Sequence, residues 1–159
     1  SRGLGDVYKR QKLNITRFTK AVLDIMFVLG ILITATLPFL LKTYGKYVEP
    51  GIEKYIWQNS VVLGLCGIFS LMIVWELRKM FKTVIADDCF VRNNVTSLKK
   101  MSIYSVGIVF FMAVKCLFNI TLATMAIMMV FIIAGLFSRV LAQVFDKAVT
   151  YKLENDLTI

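Results

Sequence analysis

The chain has no histidine. That removes the commonest general base and metal ligand at neutral pH. Its three cysteines include no Cys-x-x-Cys pair, so the usual zinc and redox frameworks are missing. Neither a Gly-x-x-x-x-Gly-Lys loop nor a Gly-x-Ser-x-Gly elbow occurs, so phosphate-cradling and serine-nucleophile motifs are missing too. There are two prolines, Pro38 and Pro50, and only ten acidic residues against nineteen Lys and Arg. Asp24 is the one carboxylate inside the long apolar stretches. Hydrolase, metalloprotein and ATPase readings all lack their parts. The chain is therefore read as non-enzymatic, with no catalytic, cofactor-binding or metal-binding residues.

What the chain has in abundance is apolar sequence. Hydrophobic residues make up 58% of it, concentrated in four runs at 21–41, 56–75, 101–117 and 120–137. About 20 helical residues cross the roughly 30 Å hydrocarbon core of a bilayer. Backbone polar groups in lipid must bond within their own segment, so each run should be a helix. The expected fold is all-α: an integral membrane four-helix bundle with helical extensions beyond the membrane. The first run is too long for a signal-peptide core and lacks a small-x-small cleavage site before Lys42, so it is read as a retained span.

Residues 1–11 match a translated sequencing-library adapter and are set aside, leaving 12–159 as a single four-span domain. Arg2, Lys9 and Arg10 against Asp6 carry +2 of the net +9, so +7 remains. That charge flanks apolar runs, a pattern that fits lipid headgroups and argues against direct nucleic-acid binding. Twelve of the remaining Lys and Arg lie on the side of the termini and the 76–100 loop, and four on the other. By the positive-inside rule both termini are expected in the cytoplasm, N-in and C-in. Tyr44, Tyr47, Tyr55 and Trp57 in the 42–58 loop read as an interfacial aromatic belt. Pro50-Gly51 marks a turn there, and Pro38 should kink or end the first helix. Cys66, Cys89 and Cys116 sit at different expected depths and should be free thiols.

Two ionisable residues enter the runs. Asp24 should lie roughly 6 Å inside the cytoplasmic edge and Lys115 roughly 21 Å from it, too far apart to pair. Intramembrane charge is by default a functional hypothesis. Its bland counterpart is snorkelling of each side chain to its nearer interface, which is favoured for both. Gly64 and Gly67 are spaced three apart, off the dimer-motif spacing of four.

The loop side is strongly patterned. Leu77, Met80, Phe81, Val84 and Ile85 form one helical stripe, with Glu76, Arg78, Lys79 and Lys82 mostly off it. Ala86-Asp87-Asp88 breaks the helix, and Asp88 is a plausible N-cap for a short helix bearing Phe90, Val91, Val95 and Leu98. Val140, Leu141, Val144, Phe145, Ala148 and Tyr151 continue the fourth run as a stripe. These stripes either satisfy one another or offer a groove to a partner helix.

The segment 89–100 (Cys89-Phe90-Val91-Arg92-Asn93-Asn94-Val95-Thr96-Ser97-Leu98-Lys99-Lys100) and the stretches 140–148 and 154–159 resemble a bacterial family of four-span membrane proteins, the domain-of-unknown-function family two-nine-seven-five. Cys89 stands where the family usually has proline. The resemblance covers nearly all of 12–159. It implies the same fold in a bacterial inner membrane and no known activity. It also implies neighbourhood to a small helix-turn-helix regulator as a possible partner. On that basis the candidate interaction residues are Phe90, Val91, Asn94, Leu98, Glu154, Asn155, Asp156 and Thr158. Capping of helix ends by Asn94 and 154–156 is their structural reading. Two functions are expected in competition. One is a regulatory partner working through its cytoplasmic face, with the bilayer and a second copy as further candidate partners. The other is a small oligomeric transporter using Asp24 and Lys115.

Overall fold

The computed structural model describes residues 2–48 and 50–158, without the side chains of Pro50 and Ile52. Every regular element among them is helical: α1 (Arg2–Tyr47), a 3₁₀ helix (Pro50–Tyr55), α2 (Ile56–Ile85), α3 (Arg92–Cys116) and α4 (Leu122–Leu157). All four α-helices are long and apolar enough to cross a membrane. That is the build of a multi-pass membrane protein. Large apolar side chains such as Ile33, Phe39, Val106, Phe110, Met129 and Phe137 cover the outside, where lipid rather than water is the compatible solvent.

Buried residues recur every three or four positions along three of the helices. On α3 the stripe is Asn94, Leu98, Met101, Ser105, Ile108, Met112 and Lys115. On α2 it runs through Asn59, Val62, Cys66 and Glu76, with Phe69 and Ile73 also turned to the core. On α4 it runs through Thr124, Gly135, Ser138, Ala142 and Val149. A 3.5-residue repeat is the seam of left-handed helix packing. Two apolar cores result. Val62, Cys66, Ile108 and Met112 form one. Leu98, Met101 and Ala142 form the other, with Leu77, Met80 and Phe145 against it. Gly135 lets the backbones of α3 and α4 approach: a Cβ there would meet Ser105 Cβ at 3.2 Å. Small residues serve this purpose in membrane helices, where close packing replaces the hydrophobic drive.

α1 stands apart from this seam. It approaches α2 and the 3₁₀ helix and makes no close backbone contact with α3 or α4 among the described residues. Only Leu23 and Gly45 of its residues are buried. The four helices therefore pack in chain order, α1 on α2, α2 on α3 and α3 on α4, with no close backbone contact between α1 and α4 or between α2 and α4 among the described residues. The α1–α2 seam is set by matched pairs. Gly67 faces Thr34 and Gly30 faces Leu71. Phe27 stacks on Trp75 at 5.5 Å, and Asp24 meets Arg78.

Four local expectations are corrected. α1 does not end at Pro38 but runs on to Tyr47. Ending an apolar helix strands about four carbonyls, whereas running through a proline strands one. The short helix before Lys99-Lys100 is not separate but is the first part of α3. No glycine or proline interrupts it, and its buried stripe continues through Met101. Asp88 does not cap that helix. The residue before α3 is Val91, in extended conformation with no side-chain cap, and Asp87 turns the chain with a positive φ of 56°. Pro50-Gly51 opens a 3₁₀ helix rather than a simple turn. The connection after Cys116 is as short as expected, closing with Phe118 and Asn119 N–H groups donating to the Lys115 carbonyl.

Candidate functional site: two polar ends joined by an apolar core

The end that carries both termini and the α2–α3 turn is densely cross-braced. Glu76 is 4% exposed. Its carboxylate accepts from Lys79 Nζ at 2.9 Å and from Ser97 Oγ at 2.7 Å, with Lys100 Nζ at 3.9 Å. The position was expected mostly off the packed face, and it is instead the most buried of the described acids. The stripe that contains Val62 and Cys66 was the available signal, because it lands on Glu76. Asn94 is equally enclosed, 2% exposed. Its amide donates to Thr83 Oγ1 and to the Cys89 carbonyl, both at 2.7 Å. This ties the start of α3 to the end of α2 across the turn.

The far part of α4 is pinned to that turn. Phe90 packs on Phe145 at 5.4 Å. Arg92 donates to Asp146, and Lys152 donates to Asp88 at 2.6 Å. The Asp88 hydrogen bond holds the Lys152 ammonium above its ordinary value. Asp24 takes part in a separate rim cluster, accepting from Arg78 Nε at 2.5 Å and from Lys20 Nζ at 3.1 Å. The Arg78 guanidinium lies over the Phe27 and Trp75 rings, 4.8 and 5.2 Å from their centroids. Such stacking suits arginine's planar, weakly hydrated cation.

The candidate interaction residues divide between interior and surface. Asn94 and Leu98 are interior, and Val91 is half-buried. Phe90 is exposed on one side. Glu154, Asn155, Asp156 and Thr158 are all exposed on the last turn of α4, where the Thr158 hydroxyl donates to the Asn155 carbonyl. Ile159 lies outside the described residues. The stripe expected on α4 splits in two. Leu141, Phe145 and Ala148 turn toward the core, while Val140, Val144 and Tyr151 stay exposed.

The opposite end holds Lys115, which was expected to snorkel outward. It is 7% exposed, and its ammonium donates to Thr124 Oγ1 at 2.9 Å. Thr121 and Thr124 hydroxyls are 2.7 Å apart, and Thr121 caps α4 by accepting from the Thr124 N–H. Asn59 is buried close by. Lys115 points inward because it continues the buried stripe of α3, a signal the spacing Ile108–Met112–Lys115 carries. Between this end and Asp24 the interior is the apolar cluster around Ile108, so the two charges do not share a site. The three cysteines are free thiols. No cluster of His, Cys, Asp or Glu able to hold a metal occurs among the described residues.

Against this geometry, a model of a family described as a protein of unknown function (DUF2975) matches residues 43–159. The chain belongs to this family. The match begins at residue 43, later than the resemblance implied, so most of α1 lies outside it while α2, α3 and α4 lie within it. The family portion thus holds the Glu76 and Lys115 clusters and leaves out Lys20 and Asp24. No curated protein and no solved structure matches the chain.

Proposed function

We propose that this DUF2975 member is a non-enzymatic multi-pass protein of the bacterial cytoplasmic membrane. In this reading both termini are cytoplasmic, and the protein works as a docking partner for a cytoplasmic protein. The observation that carries this reading is the far part of α4. It runs 20 residues past the apolar run ending at 137, about 30 Å at the helical rise. A bare extension of that kind would fray. This one is held by Phe90, Arg92 and Asp88, yet leaves Val144 and Tyr151 exposed above an exposed acidic last turn with Glu154 and Asp156. A rigid helix face with apolar anchors and a charged rim is what helix-in-groove or helix-on-surface recognition requires. The skewed distribution of Lys and Arg supports the orientation.

The partner class is a small helix-turn-helix regulator, as the family resemblance implies. Self-association is the other partnership to be read out. The test is in-cell crosslinking and pull-down of the tagged chain from a host carrying its gene neighbours, comparing the native sequence with a Val144→Asp/Tyr151→Ala variant. Recovery of a regulator by the native chain, lost in the variant while membrane insertion persists, is the expected result. Recovery of only itself or of envelope proteins overturns the reading.

A further inference from the structure

Lys115 sits on the wall of a cleft of about 210 Å³ at the end of the molecule opposite the termini. All four helices contribute to it, through residues such as Leu41 and Tyr44 of α1, Asn59 of α2 and Thr124 of α4. The rest of the wall is apolar, with Leu63, Met112 and Ile127.

Among the described residues nothing balances the charge in this cleft. An ammonium has three donors. Here one of them meets a neutral threonine hydroxyl, and among the described residues no carboxylate lies within 4 Å of it. A buried charge is retained only when paired or well hydrogen-bonded. The first turn of α4, with Thr121 and Ala123 on the cleft wall, adds the partial positive charge of a 36-residue helix's N-terminal end. Two positive centres therefore converge on one cavity whose wall also holds an amide, Asn59, and three hydroxyls, Tyr44, Thr121 and Thr124.

We infer that this cleft binds the anionic group of an amphiphile, a carboxylate or phosphodiester carried on an apolar tail. The volume is below the roughly 300 Å³ at which whole drug-sized ligands are enclosed, so it takes a headgroup and a few carbons. The tail leaves on the side where α1 and α4 make no close backbone contact. The same chemistry comes from two sources, an anionic phospholipid of the surrounding leaflet or a free short-chain carboxylic acid. The inference does not rest on the docking role of α4.

The test uses the full chain in micelles of dodecyl maltoside, a neutral sugar detergent without phosphate, with thermal unfolding midpoint and native mass spectrometry as readouts. One arm adds phosphatidylglycerol to the micelles, another titrates octanoate, and octanol serves as the neutral control. An anionic amphiphile raises the midpoint of the native chain, and octanol does not. Protection by phosphatidylglycerol alone identifies a lipid site, and protection by octanoate alone a free-acid site. Lys115→Met weakens binding by about 10- to 100-fold, the loss that goes with a hydrogen bond to a charged group. In dodecyl maltoside alone the same variant melts no lower than the native chain, because it removes a charge that no carboxylate pairs with among the described residues. Lys115→Arg keeps anion binding and Thr124→Val weakens it, so the inference stays testable if the methionine variant does not fold. Equal response of the native chain and the Lys115→Met and Thr124→Val variants to anion, or equal protection by octanol, overturns it.

Discussion

Replacing Glu76 by alanine is the most informative perturbation of the braced end. The carboxylate is buried between α2 and α3 and accepts from Lys79 and Ser97. Removing one member of a fully buried ion pair costs about 3–5 kcal/mol. Here both lysines are nearly half exposed, 44% and 48%, and regain water when the carboxylate goes. Their share is accordingly small. Ser97 is different: its hydroxyl is buried and loses a charged acceptor, worth about 1.5–3 kcal/mol. The expected cost of Glu76→Ala is therefore about 2–3 kcal/mol, dominated by the Ser97 bond. For a chain of this length that is a fall in midpoint on the order of 5–10 °C. Glu76→Gln retains an acceptor for Ser97 and should cost about 1 kcal/mol. The assay is thermal unfolding in detergent for the two single variants, Ser97→Ala and the Glu76/Ser97 double variant. A coupling of about 1 kcal/mol or more is expected for groups in direct contact. Additive effects, or a Glu76→Ala midpoint no lower than that of the exposed control Glu154→Ala, would refute the reasoning.

Further outcomes follow from the seams. A Cβ at Gly67 would stand 2.7 Å from Thr34 Oγ1, while one at Gly64 meets nothing within 4 Å. Gly67→Ala should destabilise the α1–α2 contact by about 1–3 kcal/mol, the usual cost of overpacking, and Gly64→Ala should be neutral or slightly stabilising, both read by unfolding midpoint. Phe90→Ala should free the far part of α4, losing about 0.5–1.5 kcal/mol of aromatic pairing beyond its buried area, seen as faster amide exchange over 146–157. Because Lys152 titrates higher when folded, its contact with Asp88 is complete below the ordinary lysine value of about 10.4 and is lost as pH rises through the higher folded value. Around neutral pH the protection factor of that segment, the exchange rate relative to the base-catalysed rate of an open amide, should therefore ignore pH and fall with salt, which screens exposed pairs.

Much of this architecture was legible along the chain axis. Each of the four apolar runs lies within or along one helix, though α1 begins at Arg2 and α4 runs to Leu157, well beyond runs that begin at 21 and end at 137, and Phe118-Asn119 announced the tight α3–α4 hairpin. What was missed lies around the axis. Depth follows from counting at 1.5 Å per residue, but direction depends on which neighbour a helix meets. Lys115 could be placed near one interface, yet its inward direction needed the whole stripe from Asn94. Glu76 was one charge among several beyond the second run, and it is enclosed because α3 continues unbroken past Lys99-Lys100 to cover it. Asn94 drew notice as a family-like residue and is an internal tie. The other half of the α4 stripe, Val140, Val144 and Tyr151, stays exposed. The peripheral position of α1 was invisible in its hydropathy, since lipid-facing and protein-facing residues are equally apolar.

The account rests on the two polar ends facing different compartments, with the braced α4 inside. Single cysteines at two exposed positions, Trp57→Cys and Tyr151→Cys, in a chain whose native cysteines are replaced by alanine, test this directly. Intact cells are treated with a membrane-impermeant maleimide before and after permeabilisation. The account predicts labelling of the residue-57 variant in intact cells and of the residue-151 variant only after permeabilisation. The reverse pattern, or labelling of both in intact cells, would contradict it.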